Sequence, residues 1–118
     1  MRLFIGLPLP REHRKILNRH LEPWREQFPR LKWVDPSLTH FTLQFLGEVN
    51  PEKVDALAAR LEHLSSRPDF TLETGGIFTM PLDAIPRMLA LGLLSGVAPL
   101  RDLVADVHVA TEWVGFKP

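Results

Sequence analysis

The spacing of hydrophobic and polar residues changes several times along the chain, and each change marks an element. Arg2–Leu7 (RLFIGL) is a short apolar run ended by Pro8 and Pro10, which predicts a buried strand. From Arg11 the period becomes helical. Leu17, Leu21, Trp24 and Phe28 form one apolar stripe with charged residues opposite. Pro23 falls inside that stripe and predicts a kink or a helix end, because proline lacks a donor and crowds the preceding turn. Lys32–Val34 reads as extended and Asp35-Pro36-Ser37 as a turn. Thr39–Gly47 then alternates, with Phe41, Leu43 and Phe45 on one strand face and His40, Thr42 and Gln44 on the other. Asn50-Pro51 is a helix start, and Val54, Leu57, Ala58, Leu61 and Leu64 line one face of the helix it opens, which Pro68 stops. Phe70–Phe78 and Arg87–Leu94 predict two further strands, weakened at Gly75-Gly76 and separated by a loop with Pro81 and Pro86. A last helix from about Ala98 turns Leu100, Leu103, Val104, Val107 and Val114 inward and closes at Gly115.

The expected order is β-α-β-β-α-β-β-α, an α+β fold with helices packed on one side of an antiparallel-rich sheet, spanning residues 1–118 as one domain. Composition agrees: 45% apolar and 24% charged residues argue against a disordered chain. The absence of cysteine excludes a disulfide scaffold, thiol catalysis and Cys-ligated zinc. Apolar runs such as Met88–Leu94 are too short to span a bilayer, and Pro8 and Pro10 interrupt any signal-peptide core. No membrane association and a cytoplasmic location are therefore expected. The zero net charge conceals an asymmetry. Residues 1–32 carry eight basic against three acidic side chains, and residues 33–118 carry six against eleven. Such a basic segment is either a solvated helix face or a surface for phosphates.

Among the histidines, His13, His20 and His63 lie among charges on expected helices and read as surface residues, as does His108. No pair has metal-ligand spacing with a carboxylate, and no glycine-rich phosphate loop is present. His40 differs because it shares a strand face with Thr42 opposite an apolar face. That polar face is either exposed sheet decoration or the floor of a cleft. An imidazole and a hydroxyl some 6–7 Å apart along a rigid strand suit phosphoryl chemistry. The first moves a proton near neutral pH and the second donates to a phosphate oxygen.

On these residues the sequence resembles the two-histidine phosphoesterases, and within them the RNA 2′,3′-cyclic phosphodiesterases, also called 2′-5′ RNA ligases. Met1–Gly6 followed by Leu9-Pro10 is similar to the family's first strand. Lys32–Val49 (KWVDPSLTHFTLQFLGEV) is similar to its most characteristic segment, with a His-x-Thr-x motif at His40-Phe41-Thr42-Leu43. Pro86–Gly92 is similar to the strand after the second helix. The resemblance implies a bilobal, pseudo-symmetric fold with a His-x-Thr-x motif in each lobe, and an acid–base hydrolysis that needs no metal or other cofactor. It implies that His40 is the general acid and that Thr42 binds the phosphate. The implied partner is an RNA or oligonucleotide with a 2′,3′-cyclic phosphate end, tRNA among the candidates.

The sequence holds one His-x-Thr-x, and His108-Val109-Ala110-Thr111 places its threonine one residue too late for a shared strand face. The chain is thus expected to be the first part of the fold, lacking its C-terminal strands. A sheet edge left unpaired would favour self-association. Two alternatives to an enzyme stand beside this reading: a binding module for RNA ends or nucleotides without turnover, and a remnant with no ligand.

Overall fold

The computed structural model describes residues 1–80 and 88–117, which form two compact units, Met1–Val49 and Asn50–Pro118. The elements are β1 (Arg2–Pro8), α1 (Arg11–Gln27), β2 (His40–Glu48), α2 (Val54–Glu62), β3 (Glu73–Met80), β4 (Met88–Ser95) and α3 (Val97–Glu112). The α+β class and the antiparallel pairing are as expected, with the strands in two pairs, β1 with β2 and β3 with β4. Lys32–Val34 is not a strand, so the second of the expected strands is not formed there. The Pro81–Pro86 loop and Arg87 lie outside the described residues.

In the first unit, β1 and β2 align so that Pro8 faces His40, Gly6 faces Thr42 and Phe4 faces Phe45. The register slips by one residue twice, which leaves Leu43 and Leu46 of β2 without an opposite partner. Each slip moves the following side chains to the other face. This corrects the simple alternation. Phe45 was expected inside and is 78% exposed, whereas Gln44 was expected outside and is 6% exposed. Phe41 and Leu43, which precede the displaced segment, do turn inward. Met1 ties the far end of the pair, its ammonium donating to the Val49 carbonyl at 3.1 Å and the Val49 amide returning to Met1 at 2.7 Å.

Helix α1 continues past Pro23, so the helix end that was one of the two outcomes expected there does not occur. The cost is one missing donor to the Arg19 carbonyl, in a helix with only four more residues to run. Leu17 and Leu21 are half-buried, but Trp24 and Phe28 stay exposed and stack on each other at 6.3 Å. The Trp33 indole N–H closes the helix end by donating to the Phe28 carbonyl at 3.0 Å.

The second unit begins as its sequence suggests. The Asn50 side chain accepts the Glu52 amide at 3.1 Å and opens a 3₁₀ turn at Pro51–Lys53 that leads into α2. Leu57 of α2 and Val107, Ala110 and Thr111 of α3 are buried. The Thr111 hydroxyl donates to the His108 carbonyl at 3.1 Å, which places His108, half-buried, on a helix. The β3–β4 register slips twice, between Glu73 and Thr74 and between Thr74 and Ile77, and the second slip falls at Gly75-Gly76, the weak point read from the sequence.

Gly96 starts α3 with φ of 91°, a left-handed conformation that glycine adopts freely. A Cβ there would also lie 2.5 Å from the Thr71 carbonyl oxygen. Gly76 has a similar φ of 73° but open space around it. Gly76→Ala should therefore cost about 1 kcal/mol, from backbone strain alone. Gly96→Ala adds a clash with backbone and should lower the denaturation midpoint clearly further. Equal midpoints for the two variants would show that the Thr71 contact is not tight.

Candidate functional site

The described residues include no group of three or more His, Cys, Asp or Glu side chains placed to hold a metal ion, and no helix long and apolar enough to cross a membrane. His13 and His20 are exposed on α1, and His63 is exposed in the turn after α2. Among the described residues, His40 is the histidine whose ring lies within hydrogen-bond distance of a side-chain hydroxyl.

His40 and Thr42 both lie at the surface on one face of β2, as their spacing implies. The imidazole Nε2 is 3.1 Å from the Thr42 hydroxyl oxygen. Its other nitrogen, Nδ1, is 2.6 Å from the Leu38 carbonyl oxygen. A carbonyl only accepts, so Nδ1 carries a proton and donates it to Leu38. In neutral His40 this leaves Nε2 as the acceptor, and the Thr42 hydroxyl donates to it. When His40 is charged, Nε2–H donates to Thr42 instead, and the threonine O–H is free for another acceptor.

Three groups complete the site. The Phe4 ring stacks on the imidazole, with centroids 4.5 Å apart and planes 23° apart, and the Phe45 ring lies 6.3 Å beyond it. Both rings are exposed, Phe4 by 49%. The expected buried character of Arg2–Leu7 thus holds for alternate residues only: Leu3, Ile5 and Leu7 turn inward while Phe4 belongs to the site. Gly6 is the third. A Cβ on it would lie 3.0 Å from the Phe41 carbonyl oxygen, 3.1 Å from the Phe4 ring and 3.2 Å from the His40 ring. The glycine therefore lets imidazole and phenyl close over the strand.

The turn that delivers His40 is also pinned. Asp35 accepts the Ser37 amide at 3.0 Å through its side chain and the Leu38 amide at 2.9 Å through its carbonyl. The Ser37 amide, then its hydroxyl, hold the Asp35 carboxyl below its ordinary 3.8, and the Arg14 charge adds to the effect.

The sequence that carries these residues matches a known family. Residues 7–87, more than half of the chain, match the LigT-like phosphoesterases. The chain belongs to the LigT-like phosphoesterase family. Among relatives in that family, a Geobacillus stearothermophilus protein named RNA 2′,3′-cyclic phosphodiesterase is 30% identical over 97% of this chain and 36% of its own. An Aquifex aeolicus protein of the same name is 31% identical over 74% of this chain and 47% of its own. A crystal structure from Thermus thermophilus superposes with a TM-score of 0.81 at 25% identity, covering 98% of this chain and 62% of that one. The LigT-like chain here therefore spans between about a third and a half of the length of these two named relatives.

The sequence singled out His40 and Thr42, and the structure brings them together. It missed Phe4, Phe45, Gly6 and the Leu38 carbonyl, since each reaches the site through strand pairing or the preceding turn. Two outcomes follow from this geometry. Gly6→Ala should separate the His40 and Phe4 rings, seen as loss of the ring-current shift on the His40 ring protons; an unchanged shift would mean the rings do not rest on the glycine. A lowered Asp35 keeps its tie to Ser37 at every pH above 3.8 and loses it only as pH falls through its still lower folded value. The Ser37 amide resonance should titrate with a midpoint below 3.8, and a midpoint above it would contradict the assignment.

Proposed function

We propose that this chain carries one half of an acid–base site that opens 2′,3′-cyclic phosphates on RNA ends to 2′-phosphates, with His40 and Thr42 as its catalytic residues. The observation that carries the reading is the His40–Thr42 pair, 3.1 Å apart with the imidazole tautomer preset, in a chain of the LigT-like family. In the reaction, water attacks phosphorus while the bond from phosphorus to the ribose 3′-oxygen breaks. Charged His40 gives its Nε2 proton to that leaving oxygen, and the attacking water gives its own to a base. The Thr42 O–H, which a protonated Nε2 cannot accept, donates to a non-bridging phosphate oxygen. With a 5′-hydroxyl in place of water as the attacking group, the same groups would serve the joining of 2′-5′ linkages.

The surroundings support an RNA end as substrate. The exposed Phe4 and Phe45 rings suit the flat face of a base or ribose, which stacks without regard to sequence. Arg11, Lys15 and Arg19 are exposed on α1 of the same unit and suit phosphates further along the strand, as in a tRNA. A second reading, a binding module without turnover, is favoured by one observation: the sequence holds a single His-x-Thr-x.

A general acid or base contributes about 10²- to 10⁴-fold. A phosphate-holding donor contributes roughly another 10²-fold or more. Residues 1–118 should therefore turn over a nucleoside 2′,3′-cyclic phosphate at least about a thousandfold more slowly than a relative with two His-x-Thr-x motifs. A longer protein that supplies a second motif should recover the rate, and His40→Ala should remove it again. A nucleotide-dependent shift of the His40 resonances without turnover, even in the longer protein, would support the binding module. Neither shift nor turnover would exclude both readings.

A further inference from the structure

The hydrogen bond from His40 to Leu38 raises a question of support, because a carbonyl in a loop can rotate away from its partner. Three consecutive peptide units lead into β2. The first, between Ser37 and Leu38, is held at both ends: its carbonyl accepts from Arg14 Nη1 at 3.1 Å, and its N–H donates to the Asp35 carbonyl at 2.9 Å. The third, between Thr39 and His40, has its carbonyl fixed by the Leu9 amide at 3.3 Å. The second, between these two planar units, presents the Leu38 carbonyl to Nδ1 at 2.6 Å. Arg14 is the one side chain in this chain of contacts that comes from another element. It sits half-buried in the first turns of α1 and crosses 23 residues of sequence to reach Ser37. A bond from a guanidinium is charge-assisted, hence stronger than a neutral one.

We infer that Arg14 is a positioning residue for His40: through the Ser37–Leu38 peptide it holds the Leu38 carbonyl in place and so fixes the imidazole as the Nδ1–H form, with Nε2 turned to Thr42. Asp35 is its counterpart on the other side, taking the Ser37 amide at 3.0 Å. The inference rests on His40 being the reacting imidazole, but the tautomer itself is a property of the protein without substrate. Without Arg14 the Ser37–Leu38 peptide loses the bond at its carbonyl and is held at its N–H alone, and the imidazole relaxes toward the Nε2–H form that a histidine side chain favours in water. In that form Nε2 cannot accept from Thr42.

The test is the ¹⁵N spectrum of histidine-labelled protein, residues 1–118, at a pH where His40 is neutral. In the unaltered protein Nδ1 should show the pyrrole-type and Nε2 the pyridine-type resonance. Arg14→Met keeps the aliphatic stem and removes the donors; it should reduce the Nδ1–H share at least twofold. Arg14→Lys keeps a charged donor and should restore most of that share, a rescue that a purely structural role for the stem would not produce. Asp35→Ala should act like Arg14→Met, with Asp35→Asn, which retains the accepting oxygen, close to the unaltered protein. This second pair decides the matter if Arg14→Met does not fold. An unaltered protein already in the Nε2–H form, or a folded Arg14→Met with the original tautomer, would overturn the proposal. Absent turnover with an intact tautomer response would instead count against the proposed reaction alone.

Discussion

A carbonyl oxygen accepts hydrogen bonds and never donates one, and the candidate site is built on that asymmetry. Because Leu38 offers only an acceptor, the proton of neutral His40 resides on Nδ1, and the nitrogen that faces Thr42 is the basic one. Everything around the imidazole serves this orientation. The Phe4 ring covers one face, Gly6 leaves room for the pair to settle on the strand, and the turn before β2 keeps the carbonyl aimed. A surface histidine without such partners would sample both tautomers and several rotamers, and the entropy of choosing one would fall on the reaction step. Here it is met during folding.

The site also mixes two surfaces that sequence patterns usually keep apart. His40 and Thr42 are the polar face of a strand, yet their neighbours Phe4 and Phe45 are apolar and exposed. The slip at Leu43 produces this mixture, since it swings Phe45 out while Leu43 stays in. An imidazole and a hydroxyl thus sit beside flat rings that suit a planar ligand. Water competes less well for hydrogen bonds next to such rings than on an open polar face.

What was legible in the sequence follows from how far each feature depends on distant residues. His40 and Thr42 share a face because no slip falls between them, so a period of two was enough. Phe45 was placed on the wrong face because the extra residue at Leu43 is set by pairing with β1, which alternation within β2 does not reveal. Phe4 was hidden inside an apolar run that looked buried throughout. Pro23 was read as a break because the rule for proline concerns a single missing bond, while α1 bridges that loss near its end. The Asn50 cap and the Gly75-Gly76 slip were readable because their causes are local. Arg14 offered no signal at all, as its partner lies in a turn 23 residues further along the chain.

The two unpaired residues of β2 have a bearing on how this strand can vary. Each shifts odd and even positions by one, so the outer face is counted differently before Leu43, between Leu43 and Leu46, and after it. Exchanging one apolar residue for another at these positions leaves the counting intact. Removing a single residue between His40 and Phe45 while the slip imposed by β1 persists puts the two on opposite faces, which drives the aromatic ring inward or else turns the histidine under. The strand is therefore constrained less in the identity of its residues than in their number.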